Sequence, residues 1–137
     1  MSIEENKKIV QRYQEIYNSN ALDSLSEVVS DNLLTPKIMP GIPTGIEGAK
    51  AAHRIMLEGF PDYQTTIDDL FAEGDKVAAR ITMSGTNTGG FMGIPPTGKH
   101  VSFTGIYIAR IANGKIVEHW GEEDSISLLQ QLGAISI

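Results

Sequence analysis

Two alternating runs meet at Asn113-Gly114, and this junction constrains the fold more than any other stretch. A two-residue type I′ turn needs positive φ at both central positions, which Asn-Gly supplies. The junction therefore predicts a hairpin between a long strand over Val101 to Ala112 and a return strand from Lys115 to about Gly121. A strand over Lys76 to Gly85 alternates as clearly, with Val77, Ala79, Ile81 and Met83 against Ala78, Arg80, Thr82 and Ser84. Tyr63 to Phe71 gives one more strand, with Tyr63, Thr65, Ile67, Asp69 and Phe71 on one side, and Glu73-Gly74-Asp75 turns it into the next. Arg80 is placed either to hold a ligand carboxylate or to pair with Asp69 across the strands, and the pair is the expected partnership.

The first half of the chain has a different period. Ile9, Val10, Tyr13, Ile16 and Tyr17 recur at helical spacing behind a capping box, Ser2 with Glu5, and Asn18-Ser19-Asn20 ends that helix. Asn20 is placed to cap a second short helix, with Leu22, Leu25, Val28 and Val29 on its buried side. Leu33 to Met39 reads as a short extended piece interrupted by Pro36, and Pro40-Gly41-Ile42-Pro43 as a loop. Thr44 and Glu47 form a second capping box for a helix to about Glu58, whose apolar side combines Ala49, Ala52, Ile55, Met56 and Phe60. Thr86 to Lys99 is a Gly/Pro-rich loop, and Ser125 caps a short last helix that buries Leu128, Leu129 and Leu132. Helices followed by a meander of strands define an α+β fold with the helices on one sheet face. The 137 residues fit one domain, 1–137.

Net charge −6 and the lack of any Lys/Arg cluster argue against a nucleic-acid partner and against an anionic membrane. The absence of cysteine removes thiolate chemistry and Cys-ligated zinc, and the three histidines lack metal-ligand spacing, so no metal is expected. No apolar run is long enough to span a membrane and the N-terminus has no signal-type apolar stretch, so the expected location is the cytoplasm. A sheet closed by helices encloses a hollow suited to a small apolar organic ligand. Tyr13, Met56, Phe60, Phe103, Tyr107 and Trp120 fall on the faces predicted to point inward, where each also fits plain core packing.

Two blocks are more distinctive. Gly85-Thr86-Asn87-Thr88-Gly89-Gly90-Phe91-Met92-Gly93-Ile94-Pro95-Pro96-Thr97-Gly98-Lys99 resembles the G-x-H-x-G-x-x-x-G-x-P-P-T loop of the SnoaL-like polyketide cyclases. Arg110-Ile111-Ala112-Asn113-Gly114-Lys115-Ile116-Val117-Glu118-His119-Trp120 resembles that family's R-I-x-D/N-G-K-I-x-E-H-W. Gln131-Leu132-Gly133 and Phe60-Pro61-Asp62 also fit, so the resemblance covers nearly the whole chain. It implies a nuclear transport factor two-like cone, a curved antiparallel sheet packed against N-terminal helices, and it makes a homodimer the expectation by analogy. It also implies relatives that close a ring of a polyketide methyl ester by intramolecular aldol condensation. That reaction needs a base for an acidic α-proton and a donor for the nascent alkoxide, with no cofactor.

The family's acid/base aspartate corresponds to Gly121, a further family histidine to Tyr107, and the histidine of the first block to Asn87. The candidate catalytic residues are therefore His119, Asp124 and Tyr107. Each has a plain alternative: His119 as a hydrogen-bonded strand residue, Asp124 as a helix cap, Tyr107 as core. Candidate ligand contacts are Tyr13, His53, Met56, Phe60, Asn87, Phe91, Phe103 and Trp120. Strict alternation sets His119 and Trp120 on opposite faces, so only one points into the hollow unless a bulge intervenes. A binding domain without chemistry is the second function these departures fit.

Overall fold

The computed structural model describes residues 2–36 and 41–136. Helix α1 (Ile3–Asn18) starts at the expected box: Ser2 Oγ accepts the Glu5 amide at 3.1 Å, and Glu5 Oε1 accepts the Ser2 amide at 3.5 Å. Its buried face carries Val10, Tyr13, Gln14, Ile16 and Tyr17. The helix end is tied to the sheet by Asn18, whose amide donates to the Thr65 carbonyl (2.8 Å) and accepts from the Thr65 N–H (2.9 Å). Asn20 does not cap the next element. It adopts φ 58°, and the 3₁₀ turn Leu22–Glu27 starts after Ala21 with no side-chain cap.

Strand β1 (Val29–Leu34) begins before the expected extended piece, and Met39 lies outside the described residues. Helix α2 (Gly45–Gly59) follows Thr44, which has cap-like backbone angles but makes no side-chain bond, so the second capping box does not form. The remaining strands are β2 (Gln64–Glu73), β3 (Lys76–Thr86), β4 (His100–Ala112) and β5 (Lys115–Glu123). The sheet order is β1-β5-β4-β3-β2. Four strands form the expected antiparallel meander, whereas β1 joins β5 in parallel, so the sheet is mixed. Asn113 and Gly114 both have positive φ (52° and 77°), as the hairpin requires.

Two bulges set which side chains face inward. In β2 the register slips between Ile67 and Asp69. Thr65 and Ile67 face the helices, but beyond the slip Leu70 and Ala72 pack on the core while Phe71 turns outward, 66% exposed. Asp69 turns outward with it and pairs with Arg80 at 2.6 Å. In β5 the register slips at Val117: Ile116 lies opposite Ile111, and Glu118 opposite Arg110. Short helix α3 (Ser125–Gln131) closes the end of β4. Gln131 exchanges two bonds with the Ser102 backbone, at 2.9 and 2.8 Å. Asp124, not Ser125, is its cap and accepts the Ser127 amide at 3.0 Å.

Candidate active site

Between the inner sheet face and helices α1 and α2 lies a cavity of about 300 Å³. Helix α1 contributes Tyr13, Gln14 and Tyr17, and α2 contributes Ala52, His53 and Met56. The sheet supplies Thr65, Ile81, Met83, Tyr107 and His119, with Tyr63 just before β2 and Glu123 at the end of β5. Phe91 and Met92, from the loop after β3, complete the wall. A second hollow of about 390 Å³ shares Tyr107, His119 and Glu123 and is also lined by Gly121.

The Val117 bulge decides which face of β5 reaches this space. Ile116 is fully buried, so unbroken alternation would send Trp120 inward and His119 out. The extra residue inverts the phase. His119 faces the cavity, stacked on the Tyr107 ring at 4.6 Å and 28°, with Tyr13 at 5.9 Å. Tyr107 donates its hydroxyl proton to Gln14 Oε1 (3.0 Å), a buried bond that commits the donor expected for a ligand carbonyl. His53 is buried against Tyr17 (4.5 Å), with Nε2 3.4 Å from Asn20 Oδ1.

Five expected site residues stand elsewhere. Trp120 is on the outer face, 48% exposed, and donates to Glu118 Oε1. The Asp124 carboxylate is spent on capping α3 and does not line the cavity. Phe60 is buried beneath the cavity wall, edge-on to Phe91 at 5.2 Å, and Phe103 is likewise core. Asn87 is fully buried and holds the loop together. Its oxygen accepts the Thr97 amide and hydroxyl, and its NH₂ donates to the Gly59 and Gly89 carbonyls. Tyr13, His53, Met56, Phe91, Tyr107 and His119 are the expected residues that the fold brings together.

Gln14 and Glu123 were not singled out from the sequence. Gln14 follows Tyr13 on the buried face of α1. Glu123 shares the parity of His119 and Gly121, a signal usable only once the bulge is placed.

Burial governs the electrostatics. It pushes His119 from 6.5 down to about 4, and lowers His53 as well, so both imidazoles are neutral near pH 7. It pushes the Tyr17 and Tyr63 phenols up to about 12 and raises Tyr13 and Tyr107 well above the usual phenol range, so all four remain protonated. Among the described residues, no helix is long and apolar enough to cross a membrane. No three His, Cys, Asp or Glu side chains converge as metal ligands among them either.

Helices closing a sheet over an apolar cavity, with an imidazole and a carboxylate in its wall, define a small-molecule pocket protein of the nuclear transport factor two-like α+β class. The SnoaL-like polyketide cyclase family model matches residues 7–132, and the chain belongs to that family. It is 29% identical over 129 residues to an aklanonic acid methyl ester cyclase of Streptomyces sp. (strain C5), covering 91% of this chain and 80% of that one. It is 27% identical over 120 residues to a nogalonic acid methyl ester cyclase of Streptomyces nogalater, covering 85% and 89%. The structure of TsrD from Streptomyces laurentii superposes with a TM-score of 0.90 at 33% identity, covering 98% of this chain and 99% of that one.

Proposed function

We propose that this chain closes a ring in an enolisable polyketide-type ester by acid/base chemistry in the His119 cavity. The observation that carries the reading is a neutral imidazole, fixed by stacking on Tyr107, in the wall of an apolar cavity that also holds a carboxylate. A β-dicarbonyl α-proton is acidic enough for side-chain bases, and the reaction requires neither metal nor nucleotide. The ester cyclases among its relatives support the substrate class. The test is incubation with aklanonic acid methyl ester, following the isomeric cyclised product by chromatography. Turnover above buffer is expected, with a loss of about 100-fold in His119→Ala.

A second reading is favoured by Gly121, which puts a bare backbone where the family resemblance places an acid/base carboxylate. In that reading the cavity holds an apolar ligand without transforming it. Saturable calorimetric binding of the ester, with no product, would select it.

The same proposal has the chain act as one SnoaL-like unit in a cytoplasmic homodimer. An exposed apolar patch on the outer sheet face supports the dimer: Ile106 (53% exposed), Ile108 (40%) and Trp120, which pairs across from Ile108. The cysteine-free, acidic composition is compatible with a reducing compartment.

A further inference from the structure

We infer that Glu123 is the carboxylate that removes the substrate α-proton in this cavity, an inference that rests on the ring-closing reading above. Beyond the Val117 bulge, His119, Gly121 and Glu123 lie on one face of β5, opposite Ala109, Tyr107 and Gly105 of β4. Gly105 is the device that lets Glu123 in. A Cβ there would come to 2.9 Å from the Glu122 carbonyl oxygen and 3.3 Å from Glu123 Cβ. With no side chain at 105 there is room for the Glu123 Cβ on the inner side of the strand, and the residue, exposed to solvent, lines the rim of both hollows. Gly121 keeps the space between Glu123 and His119 open. A Cβ there would meet nothing closer than His119 Cε1 at 3.4 Å and Tyr107 Cβ at 3.7 Å. Alternate residues on a strand are ~7 Å apart. A polyketide-sized carbonyl compound seated over Gly121, with about 7 Å of strand on either side, can therefore reach the imidazole at one end and the carboxylate at the other.

The remaining polar groups do not suit the task. Glu123 is the only carboxylate among the described residues lining the main cavity; Glu122 also lines the second hollow but pairs with outward-facing Ile106, on the other face of β5. The four phenols hold their protons, and that of Tyr107 is committed to Gln14. A proton taken by His119 would create a cation that burial opposes, whereas one taken by Glu123 removes a charge. A ligand that displaces cavity water strengthens both preferences in the same direction.

The step balances without a co-reactant. The α-C–H bond breaks and its proton passes to the Glu123 carboxylate. The electron pair left behind forms the C–C bond to the second carbonyl carbon. The resulting alkoxide takes the proton back from Glu123, so product and substrate are isomers and the carboxylate is regenerated. Neutral His119 is a donor available to the oxygen on which charge develops.

The experiment uses the full chain and the same ester in deuterium oxide, reading ring closure by chromatography and α-deuterium incorporation by NMR. Glu123→Gln is expected to lose at least about 100-fold in both readouts with an unchanged circular dichroism spectrum. Glu123→Asp is expected to keep a measurable fraction. Adding Gly121→Asp to Glu123→Gln is expected to restore exchange by returning a carboxylate to the same face. Glu123→Gln within twofold of wild type would overturn the inference while leaving the ring-closing reading intact. A wild type that binds the ester but neither exchanges nor cyclises it would overturn both.

Discussion

His119 is the residue whose environment most affects behaviour in solution. In the unfolded chain it titrates near 6.5, but in the cavity wall burial lowers it to about 4. Between those values the unfolded state binds a proton that the folded state refuses, so stability rises with pH across the window. The contribution is intact above about 6.5 and is lost as the pH falls toward 4. A single such group adds a slope of up to about 1.4 kcal/mol per pH unit. Burial lowers His53 too, which adds the same sign. Chemical unfolding at a series of pH values should therefore show a steep acid limb, and His119→Gln should flatten it between pH 6.5 and 4 while leaving the curve above pH 7 parallel to wild type. Equal acid limbs in the two proteins would mean that the folded state protonates His119 as readily as the unfolded one.

At the level of elements, side-chain period was legible where strands run unbroken and failed where they do not. Val77, Ala79, Ile81 and Met83 are all buried as their alternation demands, and Asn113-Gly114 makes its turn. The slips at Asp68 and Val117 have no compositional mark, because any residue type can supply the extra position of a bulge. That is why Phe71, expected on the same side as Thr65 and Ile67, lies on the other, why Trp120, expected inside, lies outside, and why Glu123 carries no signal in the sequence. The parallel β1–β5 pair is equally silent locally, since it depends on where the chain arrives after the Leu22–Glu27 turn. Asp124 and Ser125 are both good caps, and only backbone geometry separates them. The assignment is testable: Asp124→Ala should cost about 1 kcal/mol in denaturant unfolding. Ring closure should be unchanged at a temperature where the variant is folded; a large loss there would return Asp124 to the chemistry.

For the whole molecule, the two sheet faces have separate tasks. The inner face, under α1 and α2, holds the cavity; the outer carries ion pairs such as Arg110–Glu118 beside the Ile106, Ile108 and Trp120 patch. If that patch is the dimer contact, Trp120→Glu should convert a dimer into a monomer in sedimentation at micromolar concentration, with ring closure retained. A wild type that sediments as a monomer there would dismiss the pairing. The extra residue at Val117 also bears on descent. It acts as a comma in β5: drawn into the ladder rather than left out of it, it would turn the cavity's imidazole to the solvent and bring an indole inside with no letter of the strand altered, whereas one codon lost there would leave both where they are. Strands with and without that residue are therefore comparable across β5 only when they are counted back from the far end.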